Sequence, residues 1–200
     1  MSVSADLLVV RNQTRRQRYD QKQQTAQKNP ISICAVNFGC DENLGYLIRA
    51  AACFGAECLH VIGNLPDRAY LIPVSGSLID YVNIIQHANP HDFLTWARQH
   101  DVDVISAEIA DGSASVYDVD FDVSRKTCVV VGNENTGVPA EILHNSKIMH
   151  IPMPGIGFCL NTAQTANIIL FEFNRQLNER VQREYLCPES RSCLGGKRLL

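Results

Sequence analysis

Three stretches of this 200-residue chain combine glycine with polar and charged side chains in places where core packing does not call for them. The first is Asn43-Leu-Gly-Tyr-Leu-Ile-Arg49. Arg49 sits among Leu47, Ile48, Ala50, Ala51 and Ala52, so its guanidinium must either reach solvent or meet an anion. Asn43 stands at a helix start, nearly two turns before Arg49 and close to the same face; taken alone it reads first as the helix N-cap. The second stretch is Gly132-Asn-Glu-Asn-Thr-Gly137-Val-Pro139, directly after an apolar run. It lacks the Lys-Ser/Thr of a phosphate-binding Walker loop and the spacing of a dinucleotide fingerprint. Its glycines would let backbone N–H and C=O groups approach a ligand closely, although a tight turn ahead of a helix at Pro139 accounts for the same residues. The third is Ile151-Pro-Met-Pro-Gly155-Ile-Gly157-Phe-Cys159-Leu-Asn161-Thr-Ala163. Long irregular segments between core elements tend to carry function; a spectator loop is the alternative.

The elements that must position these stretches follow from hydrophobic periodicity. Residues 12–29, rich in Gln and Arg, stop at Pro30 and read as an extra helix or a mobile arm. Strands are expected at 31–38, 58–62, 82–86, 102–109, Thr127–Val131 and 147–151. Helices are expected at 43–54, closed by Gly55, at Pro90–Gln99 with Asp92 in the first turn, and at 161–183 with Ala163, Ala166, Ile169, Leu170, Phe173 and Leu177 at helical spacing. Residues 110–121 read as loop with a short strand at the end, and 63–81 receive no assignment. The wholly apolar, β-branched character of 127–131 is that of a central parallel strand. The alternation predicts an α/β fold, a mostly parallel sheet with helices on both faces and ligands at the C-terminal strand ends.

A 46% hydrophobic content supports one sizeable core but not two full catalytic domains. No apolar run approaches the ~18 residues of a bilayer span. The short patch at 7–10 has its basic cluster after it, the reverse of a secretory signal, so a cytoplasmic protein is expected. Eight cysteines, none in a CxxC pair, read as buried thiols in a reducing compartment, with no metal expected. The net charge of −3 hides an asymmetry: residues 1–28 carry six Lys/Arg and two Asp/Glu, 29–174 six and sixteen, 175–200 six and three. Arg11, Arg15, Arg16 and Arg18, followed by Lys22 and Lys28, suit a phosphate backbone through counterion release; a solvated helix face is the alternative.

The three stretches, in this order, resemble the signature motifs of the SpoU branch of the SPOUT methyltransferases: N-x-G-x-x-x-R, G-x-E-x-x-G and I-P-M-x-G-x-x-x-S-L-N-V-A. This chain has NLGYLIR from Asn43, GNENTG from Gly132 and IPMPGIGFCLNTA from Ile151, and the resemblance covers residues 31–175. It implies a C-terminal deep trefoil knot, an exception to the rule against threaded chains. It implies S-adenosylmethionine bound in that knot, with Gly132, Ile151 and Leu160 as first contacts, then Met153, Gly137, Asn133 and Cys159. A homodimer through the final helix, each active site completed by both subunits, is implied as well.

By the same resemblance Arg49 would assist deprotonation of an RNA ribose 2′-hydroxyl, with Asn43 and Glu134 holding the arginine and the loops, and Asn161 near the reactive end of the cofactor. A guanidinium stays protonated at neutral pH, so an RNA phosphate engaging it is the expected source of help. Cys159 departs from the usual serine and Thr162 from the usual valine; the thiol reads as a small packing group. The implied domains are a basic extension at 1–30, a methyltransferase domain at 31–183 and a tail at 184–200. Ribosomal RNA relatives often carry an added N-terminal domain, and only some thirty residues precede the first strand here, so transfer RNA is favoured over ribosomal RNA. The alternatives are a ribosomal RNA 2′-O-methyltransferase and a catalytically weak RNA-binding or assembly factor of the same fold.

Overall fold

The computed structural model describes residues 13–186; Arg11, the 7–10 patch, Cys187, Cys193 and most of the 184–200 tail lie outside the described residues. The first element is α1 (Arg15–Gln23), opened by a Thr14–Gln17 capping box in which each side chain satisfies the other's backbone N–H. The helix therefore occupies only the middle of 12–29.

The body is a single seven-stranded sheet, parallel throughout, in the order β3-β2-β1-β6-β4-β7-β5. Its strands are β1 (Ile31–Val36), β2 (Leu59–Ile62), β3 (Ile84–His87), β4 (Asp103–Ala107), β5 (Ala114–Ser115), β6 (Thr127–Val131) and β7 (Lys147–His150). The helices between them are α2 (Asp41–Phe54), α3 (Arg68–Val74), α4 (Pro90–Gln99), the single turn α5 (Ala140–Leu143) and the terminal α6 (Thr162–Leu186). Every residue of β1 and β6 is buried, because side chains alternate between two covered faces. On one face Ile31, Ile33 and Ala35 pack with Leu47, Ile48, Ile169 and Phe173 under α2 and α6. On the other Cys34, Val36 and Val130 pack with Phe93, Leu94 and Ile142 under α4 and α5. Each such large apolar side chain contributes roughly 1.5–3 kcal/mol by leaving water.

Several boundaries differ from the sequence expectation. β1 stops at Val36 rather than residue 38, because Asn37 takes a left-handed φ of 44°. Helix α2 starts at Asp41, capped at Cys40 with no side-chain bond, so Asn43 lies inside the helix and is not its N-cap. The short strand of 110–121 falls in the middle of the segment, at β5, and not at its end. The unassigned 63–81 segment holds α3, capped by Asp67, and a 3-10 turn at Ile79–Tyr81.

The chain builds β1, β2 and β3 outward on one side, then crosses to place β4 and β6 on the other side of β1. Such a reversal opens a crevice at the carboxyl ends of the strands, and the loops after β4, β6 and β7 all emerge there.

Candidate active site

The loop after β6 is closed on itself. Asn133 N–H donates to the Gly137 carbonyl at 3.1 Å and Gly137 N–H donates back at 2.9 Å. Asn133 Oδ1 accepts from the N–H groups of Asn135 (2.8 Å) and Thr136 (3.1 Å), and its Nδ2 donates to the Asn37 carbonyl at the end of β1. Two glycines are required by this geometry. A Cβ on Gly132 would run into the backbone of Gly137 and Val138, and one on Gly137, whose φ is 68°, would strike the Glu108 carboxylate. Glu108 accepts from Val138 N–H at 2.9 Å and from Ile109 N–H at 3.1 Å, so it ties the β4 end to this loop. Sequence reasoning passed over Glu108; its only signal was its place just beyond the end of β4.

The loop after β7 ends at Asn161, whose Oδ1 accepts from Ala163 N–H at 2.9 Å and Gln164 N–H at 3.3 Å and so caps α6. Between these loops lies a cavity of about 740 Å³. All the candidate cofactor contacts, from Gly132, Asn133 and Gly137 through Ile151 and Met153 to Cys159 and Leu160, line it, as do Glu134 and Asn161. Thr162 also lines it, and its Oγ1 is the one buried side-chain polar atom without a partner among the described residues.

One polar chain joins all three motif stretches. Asn161 Nδ2 donates to Asn43 Oδ1 at 2.8 Å, Asn43 Nδ2 donates to Glu134 Oε1, and Glu134 Oε2 accepts from Gly39 N–H at 2.8 Å. Asn43, 3% exposed, is the middle link. Partial burial works against the Glu134 carboxylate, but the Gly39 N–H and the Asn43 amide outweigh it and hold its pKa below the usual value.

Arg49 stands apart from this chain. It is exposed, and among the described residues it makes no hydrogen bond or ion pair. Six residues at about 100° each leave it roughly 120° around α2 from Asn43, so the two do not share a face. Asn43 and Glu134 bind each other and the loops, and none of these bonds reaches the guanidinium. Arg15, Arg16 and Arg18 are exposed on α1. The six described thiols divide evenly: Cys34, Cys58 and Cys128 are buried, whereas Cys40, Cys53 and Cys159 are exposed, which corrects the expectation of uniformly buried cysteines.

This arrangement is a glycine-lined cradle beside an amide–carboxylate lock. The family model described as the SpoU rRNA Methylase family matches residues 30–171. The chain belongs to that family. Among curated SpoU relatives, the tRNA (guanosine(18)-2'-O)-methyltransferase of Escherichia coli (strain K12) is 23% identical over 153 residues. That match covers 76% of this chain and 66% of the relative, so the chain spans just under two thirds of the relative's length. The crystal structure of the A. aeolicus TrmH/SpoU tRNA modifying enzyme has the same fold, with a TM-score of 0.72 and 24% identity over 83% of this chain and 85% of that one. The AdoMet-bound rRNA methyltransferase from Sinorhizobium meliloti is 28% identical, with a TM-score of 0.69, over 76% of this chain and 58% of that one.

Proposed function

We propose that this SpoU-family chain transfers a methyl group from S-adenosylmethionine to a ribose 2′-hydroxyl of RNA, with transfer RNA favoured over ribosomal RNA. The observation that carries the reading is the convergence of all three motif stretches, locked through Asn43, at the rim of one cavity. The cavity suits the cofactor: its size is within the ~300–1,000 Å³ of small-molecule sites. Its Gly132–Gly137 wall admits close backbone approach, and the Thr162 hydroxyl is left for a ligand to satisfy. When bound, the cofactor supplies a sulfonium methyl open to in-line displacement.

The chain's own residues then have three tasks. Gly132, Asn133, Gly137, Ile151, Met153, Cys159 and Leu160 form the cradle, its two glycines letting the ligand lie close against the loop backbone. Asn43, Glu134 and Asn161 hold the rim so that the hydroxyl and the methyl meet in line. Arg49 would bind a substrate phosphate and hold its oxygen against the 2′-hydroxyl to take the proton; the methyl's bond to the cofactor sulfur would break as its bond to the 2′-oxygen forms, the sulfur leaving as a neutral thioether.

Transfer RNA is favoured because the E. coli and A. aeolicus relatives are named for it and because exposed Arg15, Arg16 and Arg18, with Arg11 before them, suit an RNA backbone. The domain reading is a basic extension at 1–30, a methyltransferase domain at 31–183 and a tail at 184–200; the family match beginning at residue 30 supports it. A trefoil knot in the C-terminal part is supported by β7, formed after β6, lying between β4 and β5. A homodimer through α6 is supported by exposed Ile168 (39%) and Phe171 (62%) on a helix whose other face is core. We place the enzyme in the cytoplasm with its RNA; no described helix is long and apolar enough to cross a membrane.

The test is incubation with labelled S-adenosylmethionine and unmodified transfer or ribosomal RNA, followed by nucleoside analysis. A 2′-O-methylnucleoside is expected from the former. Tight cofactor binding with no transfer to either RNA would favour the RNA-binding factor instead.

A further inference from the structure

Helix α1 buries no side chain, so its attachment to the body rests on a few specific contacts. The Tyr19 hydroxyl donates to the Gly76 carbonyl at 3.3 Å, its ring meets Tyr81 edge-on at 5.6 Å, and the Tyr81 hydroxyl donates to Asp20 Oδ1 at 2.5 Å. All three land on the segment joining α3 to β3. That segment turns through two left-handed residues, Gly76 (φ 66°) and Ser77 (φ 67°). The second is not a glycine, so the turn is strained and needs outside support. Its other side faces the candidate catalytic arginine: a Cβ on Gly76 would lie 3.8 Å from Arg49 Nη1 and 3.9 Å from Cζ. Gly76 therefore takes the Tyr19 hydroxyl on its carbonyl and has the Arg49 guanidinium on the side where a side chain would stand. Gly45 keeps this geometry tight, since any Cβ there would collide with Val74 where α3 crosses α2.

The side of α1 next to Tyr19 carries charge. Arg15, Arg18 and Lys22, spaced i, i+3, i+7, form an exposed stripe that borders Tyr19, which stands four residues after Arg15 and about 40° from it around the helix. Arg16 falls on the docking side, where its charge reaches Asp80 and Tyr81.

We propose that Tyr19 is a positioning residue: its bond to Gly76 holds the turn as a wall against Arg49, so RNA gripped by the α1 stripe sets the orientation of the arginine. This rests on the role of Arg49 given above. A guanidinium on a long flexible stem, with no hydrogen-bond or ion-pair partner among the described residues, depends on neighbouring walls of this kind to limit its rotamers.

Tyr19→Phe keeps the ring against Tyr81 and removes only the hydroxyl. Steady-state methylation of unmodified transfer RNA is compared for wild type, Tyr19→Phe, Arg49→Lys and the double variant, with cofactor affinity and thermal midpoint measured in parallel. The wild-type rate tests the functional reading by itself before any variant is considered. The expected result for Tyr19→Phe is a kcat about fivefold lower at a KM for RNA within twofold of wild type, with cofactor affinity and melting unchanged. In the Arg49→Lys background the same substitution should have no further effect, because coupled residues are not additive. An unchanged kcat, a loss confined to KM, or a loss that persists in full beside Arg49→Lys would overturn the proposal.

Discussion

At the scale of single residues, Asn43 does the most with one side chain. Its amide donates to Glu134 and its carbonyl oxygen accepts from Asn161, so one buried residue couples loops from three strand ends. Asn43→Ala should lower stability by about 2 kcal/mol, since it strands the Asn161 amide and removes a donor from a carboxylate. Cofactor affinity should fall with it; calorimetry beside thermal melting checks both. A second residue-scale effect lies far from the cavity, where His60 Nδ1 meets His87 Nε2 at 2.9 Å beside Trp96. Burial, with the neighbouring His87 and His100 charges, pushes His60 from 6.5 down to about 3. The unfolded chain therefore binds the proton first, so the full stability present above pH 6.5 is lost progressively as pH falls toward 3. Replacing His60 by Asn should flatten the dependence of the melting temperature on pH between 7 and 5; an unaltered slope would count against the buried pair.

Among elements, the sequence was most readable where chemistry marks both ends. Helix α4 runs from Pro90 to Gln99 as expected because Asn89 caps it, accepting from Asp92 N–H at 2.9 Å, and Pro90 opens it. Strand β6 ends as expected at Val131 before Gly132. The start of α2 was misread because Cys40 caps it without any side-chain bond, which leaves Asn43 looking like the cap. The seven-residue α3 contains Pro73, which masks a short helix despite the Asp67 signal before it. On α1 the spacing of Arg15, Arg18 and Lys22 makes a further prediction. Replacing all three by Ala should raise the KM for RNA severalfold. It should also make log affinity fall less steeply with log salt, by a slope of about 2 for three lost phosphate contacts. Titrations from low to physiological salt measure it.

For the whole molecule, the α/β class and the sheet edge where the cavity opens were legible because alternating apolar strands and helices permit few other arrangements. The long-range neighbours were not. Nothing in local periodicity places β7 between β4 and β5, brings Glu108 under the Gly137 turn, or sets Tyr19 behind Gly76 and Arg49. Those contacts are set by tertiary packing between segments distant in sequence. The exposed apolar face of α6 carries the dimer prediction: Phe171→Asp should shift the protein to monomer in light scattering and, if the proposed dimer completes each site from both subunits, cut activity with it.

The most direct test of the central claim is nucleoside analysis of transfer RNA after incubation with labelled S-adenosylmethionine, for wild type and Arg49→Ala side by side. The account predicts a 2′-O-methylnucleoside from wild type and its loss, by at least about a hundredfold, from a variant that still binds the cofactor. An Arg49→Ala enzyme with an undiminished rate, or a label found on a base and not on a ribose, would contradict it.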